Sequence, residues 1–189
     1  MTIQFGGDYN PEQWPEHVWD EDVKLMTRAG VTTATVGVFS WSRLEPREGE
    51  FDFGWLDRVL DKLHAANIRV DLATATASPP AWMARNHPDT LPVTAEGVVI
   101  GFGTRQQFSP HSATFRRLSQ RLVHKLAERY ATHPAVTMWH IGNEYACHVS
   151  QCFSEEGAHG FRAWLEEKYV GIERLNDAWG TDFWGQRYD

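Results

Sequence analysis

The chain has 189 residues, 42% of them hydrophobic and 23% charged, with a formal net charge of -7 at neutral pH. That length and composition fit one globular domain with an ample core. The acidic balance, with Lys and Arg scattered and Arg116, Arg117 and Arg121 read as the solvated face of one helix, argues against nucleic acid or an acidic membrane as a partner.

The opening stretch Met1-Thr2-Ile3-Gln4-Phe5-Gly6-Gly7 has no charged leader followed by a long apolar run, and no segment reaches the length of a membrane span. Two Cys make no disulfide framework. The expected location is cytoplasmic. Nine Trp is a high count. It fits a thick core, and it also fits a sugar-binding cleft with aromatic platforms.

Residues 3–7 are a brief strand candidate leading into Asp8-Tyr9-Asn10-Pro11. Pro15 suits the first turn of a helix to Arg28, with Val18, Leu25, Met26 and Ala29 at helical spacing and Gly30 as its stop. Residues 32–39 are rich in β-branched types and read as a second strand. A loop over 40–49 leads to a helix over 55–66, with Trp55, Leu56, Val59, Leu60 and Leu63 on one face. Residues 68–74 form the third strand.

Strand and helix alternating with short links point to parallel βαβ units. The next connection differs. Residues 75–110 show no helix pattern and are punctuated by Pro79-Pro80, Pro88, Pro92, Gly97 and Gly101, and loops of such length in a compact domain are often functional. A third helix over 112–130 carries Phe115, Leu118, Leu122 and Leu126 on one stripe. Then comes the apolar fourth strand, Val136-Thr137-Met138-Trp139-His140-Ile141-Gly142, which ends in the polar pair Asn143-Glu144. Helices over 161–169 and 172–179 follow.

Four βα units are the first half of a (β/α)8 TIM barrel, whose usual length is about 250 residues. Half a barrel leaves two edge strands and an open interior. The expected organisation is therefore an α/β chain in which residues 1–189 are the N-terminal portion of a single TIM-barrel catalytic domain. A compact four-stranded α/β domain is the alternative.

Glu144 is the leading candidate for chemistry. A carboxylate at the C-terminal end of an apolar strand is where barrel enzymes place catalytic groups. Aromatic neighbours such as Trp139 and Tyr145 would favour its neutral form, as a general acid requires. Asn143 can donate to a substrate hydroxyl, but strict strand alternation sends residues 143 and 144 to opposite faces. Both reach one ligand only if the strand bends or ends there. The plain reading is a surface glutamate opening a loop.

Glycosidic cleavage uses two carboxyl groups, about 5–5.5 Å apart for retention and about 6.5–9.5 Å apart for inversion. Asp8, Glu45, Asp71 and Asp89 are the remaining candidates, and none shares the strand-end setting of Glu144. Trp14, Trp19 and Trp55 read as core. Trp41, Trp82 and Trp184 fall in loops or near element ends, where they can stack on a sugar. Cys147, His148 and Cys152 raise a metal question, with no second Cys pair to complete a four-ligand zinc site. Free thiols are the simpler reading, and His140 reads as a hydrogen-bonded interior residue. No Gly-rich phosphate loop or nucleophile elbow is present.

These stretches together resemble the N-terminal half of a glycoside hydrolase family 42 β-galactosidase. The resemblance is carried by Tyr9-Asn10-Pro11-Glu12-Gln13-Trp14, Phe39-Ser40-Trp41-Ser42-Arg43-Leu44-Glu45-Pro46 and Phe51-Asp52-Phe53. It continues through Thr76-Ala77-Ser78-Pro79-Pro80-Ala81-Trp82 and His87-Pro88-Asp89-Thr90-Leu91-Pro92-Val93. Trp139-His140-Ile141-Gly142-Asn143-Glu144-Tyr145 and Leu175-Asn176-Asp177-Ala178-Trp179-Gly180-Thr181 complete it.

The resemblance implies hydrolysis of terminal β-galactosides with retention. Glu144 would be the general acid/base, Asn143 would hold sugar hydroxyls and Arg105 would contact the galactose ring. The nucleophile, another glutamate from a later strand, has no matching position here, so little or no hydrolysis is expected from these residues alone. Members are commonly trimers, so a homotrimer is expected of the complete enzyme. Some members bind zinc through a Cys four residues after the loop arginine and a Cys cluster after Asn-Glu-Tyr. Here the first position is Ser109, and Cys147 and Cys152 do not keep the cluster's spacing, so neither that metal site nor a cofactor is expected. Many members carry an arginine on the second strand where this chain has Thr35. The other readings are a barrel glycosidase acting on β-glucans or arabinosides, and a non-catalytic sugar-binding half-barrel.

Overall fold

The computed structural model describes residues 3–103 and 107–189, without the side chain of Trp184. Strands β1 (Gly6–Tyr9), β2 (Thr33–Val36), β3 (Arg69–Ala73) and β4 (Val136–His140) form one sheet in the order β1-β2-β3-β4, with every pairing parallel. The helices in chain order are α1 (Glu16–Arg28), α2 (Trp41–Leu44), α3 (Gly54–Ala65), α4 (Ala81–Asn86), α5 (Ala113–Tyr130), α6 (Glu155–Tyr169) and α7 (Ile172–Trp179). Sheet order equals chain order, and α1, α3 and α5 carry the chain from each strand to the next. This is the α/β half-barrel expected from the sequence.

The sheet has two unlike faces because side chains alternate along each strand. Ala34, Val36, Val70 and Leu72 are buried and share one core with Trp55, Leu56, Val59, Leu60 and Leu63 of α3 and with Phe115, Leu118, Leu122, Leu126 and Tyr130 of α5. Each such Leu contributes about 1.5–3 kcal/mol by leaving water. The other face is polar. Asp8, Thr35 and Asp71 stand in register across β1, β2 and β3.

Between β3 and β4 the register shifts: Val70 pairs with Val136, but Asp71 pairs with Met138, so Thr137 is an extra residue. This bulge decides which side chain goes where. It aligns Trp139 with Leu72 and His140 with Ala73. Trp139 therefore packs on the helix-side core, and His140 shares the polar face with Asp71. The two outer strands are far less covered than the inner ones: Met138 of β4 is 43% exposed and Phe5, just before β1, 58%.

Five expectations change. Residues 75–110 contain the helix α4 and a 3-10 turn at Pro88–Thr90, where the density of Pro had masked helical turns that start after Pro80. The loop over 40–49 contains α2, and α6 begins at Glu155, capped by the Ser154 hydroxyl accepting from Gly157 N–H at 3.1 Å. Trp14 lies after a 3-10 turn, exposed rather than in the core, whereas Trp41 is fully buried in α2 and is closed to any sugar. Among the described residues no helix is long and apolar enough to cross a membrane.

Candidate functional site

The C-terminal ends of β3 and β4 are tied together before the candidate residues begin. Thr74 N–H donates to the His140 carbonyl at 3.1 Å. Gly142 N–H donates to the Thr74 hydroxyl at 3.2 Å. β4 stops at His140, and the chain then turns sharply, with positive φ at Gly142 (69°), Glu144 (44°) and Ala146 (61°). Left-handed backbone at a non-glycine residue is strained. Here it bends the chain where β4 ends, so strict strand alternation no longer sends residues 143 and 144 to opposite faces. Gly142 has little choice of residue, because a Cβ there would run into the Tyr145 phenol. That phenol donates to the Ile141 carbonyl at 3.2 Å and closes the turn.

Behind this turn lies a polar chain across the sheet. The Thr35 hydroxyl donates to Asp71 Oδ2 at 3.3 Å. The same oxygen is 3.7 Å from His140 Nδ1, and His140 Nε2 is 3.3 Å from Asn143 Oδ1. With Nδ1–H facing the Asp71 carboxylate, Nε2 meets the end of the Asn143 amide 3.3 Å away and fixes the orientation of that amide. Asn143 is thus positioned by residues from two other strands. Thr35 and Asp71 do not stand out in the sequence as its support. The signal was polar residues at alternate positions in strands whose other positions are wholly apolar.

Glu144 follows on the same rim. Its side chain is 51% exposed, and its Oε2 lies 3.7 Å from His148 Nε2. The apolar enclosure expected around this carboxyl is not supplied by these residues, since Ile141 and Tyr145 are themselves 73% and 72% exposed. Arg105 lies outside the described residues.

The other carboxylates have different occupations. Glu45 is fully buried, accepting from Trp41 Nε1 at 3.0 Å and Gly49 N–H at 2.7 Å and paired with Arg121. Its backbone carbonyl accepts from Trp82 Nε1 at 2.8 Å, so this loop is pinned to the next one. Asp89 accepts from the Ser112 hydroxyl at 3.0 Å at the start of α5. Asp71 serves the chain just described. Asp8 is exposed on β1.

The zinc ligand set suggested by the resemblance does not fit. Ser109 presents a hydroxyl where a thiol is needed, and Cys152 donates to it at 3.4 Å. Those hydrogen bonds to Ser109, Val93 and Ser154 hold the Cys152 thiol below its usual range against a raising effect of burial, the largest single influence. Cys147 is exposed and turns toward Glu144 and His148. Four thiolates are not available.

A parallel half-barrel with a turned carboxylate and a positioned amide at the C-terminal rim has the layout of a (β/α)8-barrel protein. The family model for glycoside hydrolase family 42, described as β-galactosidase, matches residues 8–189, and the chain belongs to that family. It is 53% identical over 188 residues to β-galactosidase BgaB of Geobacillus kaustophilus, covering all of this chain and 28% of that one. It is 55% identical over 186 residues to a β-galactosidase of an Arthrobacter species, covering 98% of this chain and 27% of the relative. The crystal structure of β-galactosidase from the psychrophilic Marinomonas ef1 superimposes with a TM-score of 0.95 at 43% identity, over 98% of this chain and 28% of that one. The chain thus spans a little over a quarter of the length of these relatives. The catalytic domain of β-amylase from Paenibacillus polymyxa shares the fold alone, at a TM-score of 0.70 and 15% identity over 95% of this chain and 50% of that one.

Proposed function

We propose that residues 1–189 are the N-terminal portion of one TIM-barrel catalytic domain and supply the acid–base half of a retaining β-galactosidase. The observation that carries this reading is Glu144 itself. It is a carboxylate set on the rim of β4 by a strained turn, beside an amide held by the Asp71–His140 pair. Membership of a family described as β-galactosidase supplies the substrate class. The sparse cover on β1 and β4 agrees with further strands closing the barrel.

In the complete enzyme Glu144 protonates the glycosidic oxygen as a second carboxylate attacks the anomeric carbon. A glycosyl-enzyme ester forms and the alcohol leaves. Glu144, now ionised, takes a proton from water, whose oxygen attacks the anomeric carbon and frees the nucleophile. Asn143 and Arg105 hold sugar hydroxyls. The nucleophile and the remaining walls of the pocket come from outside these residues, so the chain by itself hydrolyses little. The reading extends to a homotrimer, on the family resemblance, and to a cytoplasmic location.

Initial rates of the complete enzyme on matched galactoside, arabinoside, fucoside and glucoside test the substrate class. The galactoside is expected to be fastest. A glucoside or arabinoside preference would overturn the reading in favour of another barrel glycosidase.

A further inference from the structure

The turn that sets Glu144 in place also brings a thiol and an imidazole to it. One ligand atom each from Glu144, Cys147 and His148 lies within 4.8 Å of the other two. Cys147 N–H donates to the Glu144 carbonyl at 3.0 Å, and the positive φ at Glu144 and Ala146 folds the segment back on itself. All three side chains are open to solvent. Among the described residues this is the one convergence of three such groups.

We propose that Glu144, Cys147 and His148 form an inhibitory site for a thiophilic divalent cation, Zn²⁺ in particular. This rests on the acid–base reading of Glu144 for its effect on hydrolysis, but not for binding. A carboxylate oxygen, a thiolate sulfur and an imidazole nitrogen are all zinc ligands, and three protein ligands leave a fourth tetrahedral position for water. Oxygen-only cations such as Mg²⁺ gain nothing from the sulfur. Binding releases the Cys147 proton. It also engages the Glu144 carboxylate, which then cannot hold the proton that the leaving oxygen needs. The site is distinct from Ser109 and Cys152, whose thiol and hydroxyl are bonded to each other.

The complete enzyme, assayed with added Zn²⁺ and separately titrated with Co²⁺, provides the test. Zn²⁺ is expected to inhibit hydrolysis, and Co²⁺ to give a thiolate-to-metal charge-transfer band. Cys147→Ser should keep basal hydrolysis, abolish the band and raise the Zn²⁺ concentration for half-inhibition by about tenfold or more. His148→Ala should weaken the band in the same way, whereas Cys152→Ser should leave band and inhibition unchanged. No band, or one lost in Cys152→Ser and kept in Cys147→Ser, overturns the proposal. A band that needs Cys147 and His148 while hydrolysis continues at saturating Zn²⁺ supports the metal site and overturns the acid–base reading of Glu144. No band with an inactive Glu144→Ala enzyme overturns the metal site and leaves that reading standing.

Discussion

The Asp71 carboxylate on β3 and the His140 imidazole on β4 meet on the polar face of the sheet, with Oδ2 3.7 Å from Nδ1. The bulge at Thr137 makes this meeting possible, because it aligns His140 with Ala73 on the face that Asp71 occupies. The far nitrogen of His140 then reaches Asn143. Removing the anchor should therefore act on Asn143, the proposed sugar contact. Asp71→Asn in the complete enzyme is expected to lower kcat/KM by about tenfold, which corresponds to about 1.4 kcal/mol of a lost charge-assisted contact. Thermal stability should change little. The same loss in an Asn143→Ala background would show that the two do not act through one another.

Gly142 is the second point where sequence and function meet. Its φ of 69° and the nearby Tyr145 phenol leave no room for a side chain. Gly142→Ala costs about 1 kcal/mol for the backbone alone and displaces Tyr145. The expected result is a larger fall in kcat than in the melting temperature. Tyr145→Phe, which removes only the bond to Ile141, should do much less.

Much of this was legible in the sequence. The stripe Phe115, Leu118, Leu122 and Leu126 repeats at helical spacing and is the buried face of α5, and alternating strands and helices fixed the parallel order. Glu144 stood out because it follows an apolar strand. The Thr35–Asp71–His140 chain was hidden, since pairing across strands depends on register, and a one-residue bulge changes register without changing composition. Trp41 was misread as a loop residue because α2 has only four residues and no periodicity to display. Glu45 looked like a spare acid for the same reason.

Glu45 offers a stability test. It is buried with Trp41, Gly49 and Arg121 as donors, so Glu45→Ala strands a partly buried guanidinium and two N–H groups. A loss of about 3 kcal/mol is expected, measured by denaturant unfolding. A loss below about 1 kcal/mol would place this residue with ordinary surface carboxylates.

Asp57 on α3 sets an acid limit on the same fold. The Arg129 guanidinium beside it holds its carboxyl below the usual range, helped by the Tyr130 hydroxyl and opposed by partial burial. It donates to Asp57 Oδ1 at 2.8 Å, and the Tyr130 hydroxyl donates to the same atom at 2.7 Å. A carboxyl that binds its proton less readily folded than unfolded adds stability above its unfolded pKa of about 3.9. That stability drains away as pH falls from there through the lowered value. Both partners are partly exposed, so the coupling is about 1 kcal/mol at most. Asp57→Asn should lower stability near neutrality and flatten its decline at acid pH. An unchanged acid limb would contradict the assignment.

Glu144 is proposed above as the proton donor and acceptor of a retaining galactosidase. The direct measurement of this role is Glu144→Ala in the complete enzyme, with an activated aryl β-galactoside and added azide. The expected result is weak hydrolysis without azide, then faster release of the aryl alcohol with β-galactosyl azide as product, because the small anion needs no general base. Undiminished hydrolysis, or lost activity with no β-galactosyl azide formed, would contradict the account.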